Sequence, residues 1–176
     1  MNSTTLKTNE SPPSQTARPD RAEILQTIRK RSFATLATTS PAHRPHNAGI
    51  LYGAVDDVLY VSTKRTSRKA RNIVANPHVA VVIPVRRLPI GPPSSIQFQG
   101  TATVLDLDDP EILQLVAAGQ LKSITGHGEL EIEDGCFLRI TPNGRLFTYG
   151  LGMSLYTMIK DPINVGGIVD LHDKAA

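Results

Sequence analysis

The stretch from which the rest of the chain can be read is Val58-Leu59-Tyr60-Val61-Ser62-Thr63-Lys64-Arg65-Thr66-Ser67-Arg68-Lys69-Ala70-Arg71-Asn72-Ile73-Val74-Ala75-Asn76-Pro77. Its first four residues are apolar and β-prone, the signature of a strand. Residues 70–76 read as a short helix that Pro77 stops. Between them lie Lys64, Arg65, Arg68, Lys69 and Arg71, with no carboxylate among residues 62–72. A helix N-terminus exposes unpaired N–H groups and partial positive charge, so Asp or Glu is favoured there. Arg68 and Lys69 stand there instead. A bound phosphate would resolve the conflict, held by the helix end, the Thr66 and Ser67 hydroxyls and the cations. The alternative is a solvated basic turn that binds nothing. No glycine occurs in the turn, which sets aside a Walker loop or a dinucleotide fingerprint.

The whole chain supports a compact ligand over a polymeric one. At 176 residues it is long enough for one domain with a full core. The formal charge is +3, and without the five cations of the turn 14 basic residues face 16 acidic ones. The positive excess is therefore read as local. There is no Trp and there are only four Phe and four Tyr. Nucleic acid would want interleaved aromatics or a broad basic stripe, so no nucleic-acid partner is expected. No apolar run is long enough to span a membrane. The N-terminus has no signal-peptide core, and a cytoplasmic protein is the expectation. The single cysteine, Cys136, excludes an internal disulfide and a cysteine-cluster zinc site.

Along the chain, residues 1–19 are rich in Ser, Thr, Asn and Pro and read as a disordered leader. Asp20 with Glu23 predicts a capping box opening a helix through about Lys30. Strands are predicted over 33–39, 46–53 and 58–63, arranged as an antiparallel meander. Val79–Ile83 reads as a central strand, 86–94 as a loop, and 96–104 as a long strand with one dry and one polar face. A second helix is expected from Asp108 to about Gly119, with Pro110 in its first turn. Strands at 136–141 and 145–149 flank Pro142-Asn143-Gly144. Residues 151–176 hold several glycines and read as an irregular tail, packed on the barrel or at a dimer interface. Many strands, few helices and no βαβ alternation predict a mainly β protein, a small antiparallel barrel with peripheral helices over 20–150.

Taken in order, several short pieces carry a family resemblance. They are Ala34-Thr35-Leu36-Ala37-Thr38, Arg44-Pro45-His46, Leu59-Tyr60-Val61-Ser62-Thr63, Ser67-Arg68-Lys69-Ala70-Arg71-Asn72-Ile73, Asn76-Pro77-His78-Val79 and Phe98-Gln99-Gly100-Thr101-Ala102. Together they resemble the pyridoxamine 5′-phosphate oxidase-like split β-barrels, proteins that bind FMN or the deazaflavin F-420. The resemblance implies a flavin-dependent oxidoreductase acting on a small organic molecule, with FMN as cofactor and F-420 as the alternative. A non-catalytic protein that stores, delivers or senses the cofactor is the other reading. It also implies that Lys64, Thr66, Ser67, Arg68 and Lys69 grip the cofactor phosphate. His46, Asn47 and Ala48 would run beside the isoalloxazine ring, largely through backbone groups, and Gln97 and Gln99 would meet it from the other side. A homodimer with cofactors between subunits follows from the same resemblance. The chain departs from the family in two places. It has Ser40-Pro41-Ala42-His43 in place of an acidic-glycine turn, and it lacks the C-terminal Arg and His motif that binds vitamin substrates.

Other residues read more blandly. His43, His46, His78, His127 and His172 show no metal-ligand spacing, so a metal or heme role for His43 and His46 is disfavoured. Glu129, Glu131, Glu133 and Asp134 read as a solvated acidic face. Gln97 and Gln99 on alternation alone would simply face solvent. Leu146, Phe147, Tyr149, Leu151, Met153, Leu155, Tyr156, Met158 and Ile159 make the C-terminal region apolar enough to need cover, from its own barrel or from a partner.

Overall fold

Alternation of apolar and polar residues builds a single antiparallel sheet that curls around one face. The computed structural model describes residues 19–86 and 93–172. The strands are β1 (Phe33–Thr39), β2 (Pro45–Leu51), β3 (Gly53–Val55), β4 (Val58–Lys64), β5 (His78–Val85), β6 (Ser94–Leu105), β7 (Gly135–Pro142), β8 (Arg145–Tyr149) and β9 (Gly166–Asp170). The helices are α1 (Arg21–Arg29), α2 (Arg68–Ala75), α3 (Pro110–Ala117), α4 (Lys122–Thr125) and α5 (Leu155–Lys160). The order across the sheet is β2-β1-β5-β6-β7-β4-β3, with β8 paired to β6 and β9 to β8. This is the curled antiparallel sheet of a split barrel.

The concave face is dry. Leu36, Val81 and Phe98 meet there in register, as do Ala34, Ile83 and Ile96. Ile24, Leu25 and Ile28 of α1 and Ala70 and Ile73 of α2 complete this core. Each Leu, Ile, Val or Phe among them contributes roughly 1.5–3 kcal/mol when fully buried, and each Ala less. The expected capping box is present: Glu23 N–H donates to Asp20 Oδ1 at 2.8 Å, and Asp20 N–H to Glu23 Oε2 at 3.3 Å.

The convex face is covered only in part. Tyr60 of β4 and Phe137 of β7 form a second core with Ile112, Leu121 and Ile124 from α3 and α4. Among the described residues no helix covers the remaining convex strands, and Val82, Phe147 and Ile168 are exposed there.

Three expectations change. The predicted strand 46–53 breaks at Tyr52, which is wholly buried and donates its hydroxyl to Ile28 O at 2.9 Å. The three-strand meander is not formed: β2 pairs with β1, whereas β4 pairs with β3 and β7. The tail is regular, because β9 pairs with β8 and α5 buries Met158, while Leu151 and Leu171 join or border the core. The apolar tail therefore folds in part onto its own chain. The expected leader, except Pro19, and most of the 86–94 loop lie outside the described residues.

Tyr52 and Tyr60 set an alkaline limit. Burial pushes both phenols well above their ordinary value of 10.0, and for Tyr60 the Glu111 carboxylate that accepts its hydrogen bond adds to the shift. Above that value the unfolded chain loses protons that the folded chain keeps, so stability falls as pH rises. Urea midpoints measured from pH 9 upward should drop, and the phenolate absorbance of these two residues should appear only with unfolding. A Tyr52→Phe, Tyr60→Phe double variant should show a shallower alkaline decline.

Candidate functional site

The basic turn joins β4 to α2. Ser67 caps α2: its Oγ accepts from Ala70 N–H at 3.3 Å and lies 3.4 Å from Thr63 Oγ1. Ser67 N–H donates to Lys64 O at 3.0 Å, which closes the turn. The first turn of α2 contains no acidic residue. Lys64, Thr66 and Arg68 are exposed, and Ser67 and Lys69 are half-buried. The structure thus brings all five predicted phosphate-gripping residues into one turn.

Two carboxylates that the sequence did not connect to this turn reach it. Asp134 accepts from Thr66 N–H through Oδ2 at 3.1 Å, and its carbonyl accepts from Arg65 N–H at 2.9 Å. Arg65 forms an ion pair with Asp106. Asp134 sits in the left-handed region at φ 60°, ahead of Gly135. The Asp-Gly dipeptide was the available signal, since it marks turns. Asp134 is exposed, as a solvated acidic face requires, and also binds the turn through the Thr66 N–H.

The middle of α2 is locked to β1. Buried Asn72 donates through Nδ2 to Thr38 Oγ1 at 2.9 Å. His46 lies opposite Thr38 in the β1–β2 register. Its Nδ1 is shielded from solvent and has no hydrogen-bond partner, and the same is true of Ser62 Oγ on β4. Buried polar atoms are nearly always satisfied, so these two invite a ligand or water. β2 approaches β4 without pairing to it, which leaves the β2 edge facing the split. Such an edge offers free backbone N–H and C=O groups.

The predicted ring-contacting residues divide between the faces. His46 and Ala48 lie on the concave side with Ile50, whereas Asn47 is exposed on the convex side. Gln97 and Gln99 are convex and exposed. Asn47, Ala37, Ala80 and Gln99 form one row across β2, β1, β5 and β6. Ala37, Ala80 and Gln99 also line an open groove of about 360 Å³ with Thr39, His78 and Asn143. Gln97 lies lower on the same face, bonded to Ser95 Oγ at 3.0 Å and opposite Phe147. Cys136 is fully buried in β7, and burial raises its thiol pKa. No group of three or more potential metal ligands occurs among the described residues.

Comparison with known proteins places this architecture in a family. The family model described as pyridoxamine 5′-phosphate oxidase matches residues 21–148, and the chain belongs to that family. No curated protein sequence matches it. Among solved structures it resembles HutZ, the heme storage protein of Vibrio cholerae, with a TM-score of 0.65 and 22% identity over 75% of this chain and 96% of that one. A heme-binding protein from Mycobacterium smegmatis gives 0.63 and 18%, over 76% and 55% of the two chains. An FAD-binding protein from Mesorhizobium loti gives 0.56 and 18%, over 72% and 92%. At these identities the likeness is one of fold.

The Asp134 carboxylate should compete with any anion at the turn. Asp134→Asn removes the charge and keeps the side chain's size. We expect inorganic phosphate to bind this variant about 2- to 5-fold more tightly at low salt, the range for an exposed charge interaction of about 0.5–1 kcal/mol. Isothermal titration would check it, and weaker binding would mean that the carboxylate organises the turn.

Proposed function

We propose that the chain binds a phosphorylated flavin, FMN, at the β4–α2 turn and serves as an oxidoreductase for a small organic substrate. F-420 is the alternative cofactor. The observation that carries this reading is the start of α2, where Ser67, Arg68 and Lys69 stand with no acid in the first turn. Family membership supports it, and His46, whose Nδ1 has no partner among the described residues, stands on the strand that edges the split. In this reading Arg68, Lys69 and Lys64 neutralise the phosphate, while Thr66 and Ser67 orient it. The free β2 edge at His46–Ala48 supplies backbone groups to the ring, and Gln97 and Gln99 border it. When bound, the cofactor supplies the hydride chemistry, and the protein supplies position and electrostatics.

The spectrum and mass of the ligand that co-purifies with the protein test the reading. A flavin or deazaflavin spectrum supports it. A Soret band would instead point to heme, the ligand named for two of the similar structures. Turnover with reduced cofactor would separate an enzyme from a storage or delivery protein. Lys69→Ala should weaken FMN binding by about 10- to 150-fold, the equivalent of a charged hydrogen bond of roughly 1.5–3 kcal/mol. Riboflavin, which has no phosphate, should lose far less, and equal losses would remove Lys69 from the phosphate.

The same reading assigns the bare convex face to a second copy of the chain. Val82, Gln97, Phe147 and Ile168 form one row across β5, β6, β8 and β9, and its three apolar members are exposed. Light scattering should give about twice the 19.0 kDa chain mass. Phe147→Asp with Ile168→Asp should return it to the mass of one chain, since a desolvated charge in the row opposes association.

A further inference from the structure

A second group of cations lies at the other end of the sheet. Lys30, Arg31 and Arg86 line an open groove of about 320 Å³ with Ser32, Phe33 and Pro84. The groove is set at the Phe33 end of β1, whereas α2 is tied to Thr38 near the opposite end. The strand between them is about 20 Å long at the usual rise per residue. A ligand in this groove is therefore separate from one at the basic turn.

The cations are brought together from distant parts of the chain, which is why the positive charge read as local in the sequence is not wholly so. Lys30 has an ordinary explanation, because it caps the C-terminus of α1, where a positive charge is favoured. Arg31 has a structural one too. Arg31 donates through Nη2 to the Arg86 main-chain carbonyl at 3.3 Å, which ties it to the end of β5, and both residues line the groove. Arg31 Nε is shielded from solvent and has no partner. Among the described residues no carboxylate forms an ion pair with any of the three. An anion in the groove would give these cations the charge partner that no described carboxylate supplies.

The apolar part of the groove narrows the ligand class. Phe33 is 48% exposed, and Pro84 on the neighbouring strand is exposed beside it. A ring and a proline make a flat floor beneath donors that form a fork. Aromatic faces also attract planar groups and cations, so the floor can hold a ligand's ring while the guanidinium fork grips its charge. The volume lies at the small end of the range for small-molecule sites.

We propose that this groove is a binding site for a small planar organic anion, a conjugated carboxylate or phosphate, gripped by Arg31, Arg86 and Lys30 over Phe33. The inference does not depend on which cofactor occupies the basic turn. Phenyl phosphate is a suitable probe, titrated calorimetrically into the full chain, with inorganic phosphate and phenol as controls. Lys69→Ala serves as the background that weakens the turn. Saturable binding of phenyl phosphate should persist in Lys69→Ala and should fall about tenfold or more when Lys30→Ala and Arg86→Ala are added, the effect of about 1.4 kcal/mol. Lys30 and Arg86 are exposed, so unchanged thermal midpoints should show that the fold is intact. Phe33→Ala should abolish the preference for phenyl phosphate over inorganic phosphate. The proposal is overturned if phenyl phosphate fails to saturate below about 1 mM, a binding free energy near −4.1 kcal/mol. It is equally overturned if the Lys30 and Arg86 changes leave affinity intact, or if phenol binds as well as phenyl phosphate.

Discussion

β5 pairs along its whole length with Ser94–Thr101 of β6, but the second edge of β6 can serve only one strand at a time. Ser95–Gln97 give that edge to β8, and Gly100–Leu105 give it to β7. The change-over requires close approach, and Gly100 allows it: a Cβ there would collide with the Thr141 carbonyl. Asn143 N–H donates to Gln99 O at 2.9 Å at the same joint. The curl of the sheet, the dry concave core and the separation of β2 from β4 all depend on this division. So does the chemistry, because the split it opens is where the β2 edge and the basic turn face each other.

Helical cover on the convex side then decides what is left for ligands and partners. α3 and α4 seal β4 and β7, and the Tyr60–Glu111–Arg139 cluster ties α3 to those strands, with Arg139 Nε 3.2 Å from Glu111 Oε1. Beyond that seal the sheet carries alternating side chains with no helix packed above them among the described residues. The two cationic regions stand at opposite ends of β1, one assembled by a single turn and one by two separate segments. A local run of charge is visible in sequence, whereas a cluster built by pairing is not.

That distinction runs through the whole fold. Helix α1 was legible because its capping box is a contact between Asp20 and Glu23, three residues apart. β1, β4 and the start of α2 were legible for the same reason, since alternation, Ser67 and Pro77 act locally. The break at Tyr52 was hidden because it answers to a carbonyl of α1, far off in the chain. The β4–β7 pairing and the β8–β9 hairpin were hidden because partner choice between strands is set by the completed core. In the candidate site, the cations and hydroxyls of 64–69 could be read directly. Asp134 could not, because only the folded sheet carries it to Thr66.

Cys136 lies in the one part of the sheet that is covered on both faces. It is the only thiol in the chain, and burial holds it protonated and out of reach of solvent. A thiol reagent therefore meets it only when β7 separates from its neighbours. The native chain thus contains its own clock: the rate of Cys136 labelling records how often its best-protected layer opens, with no need for an introduced probe.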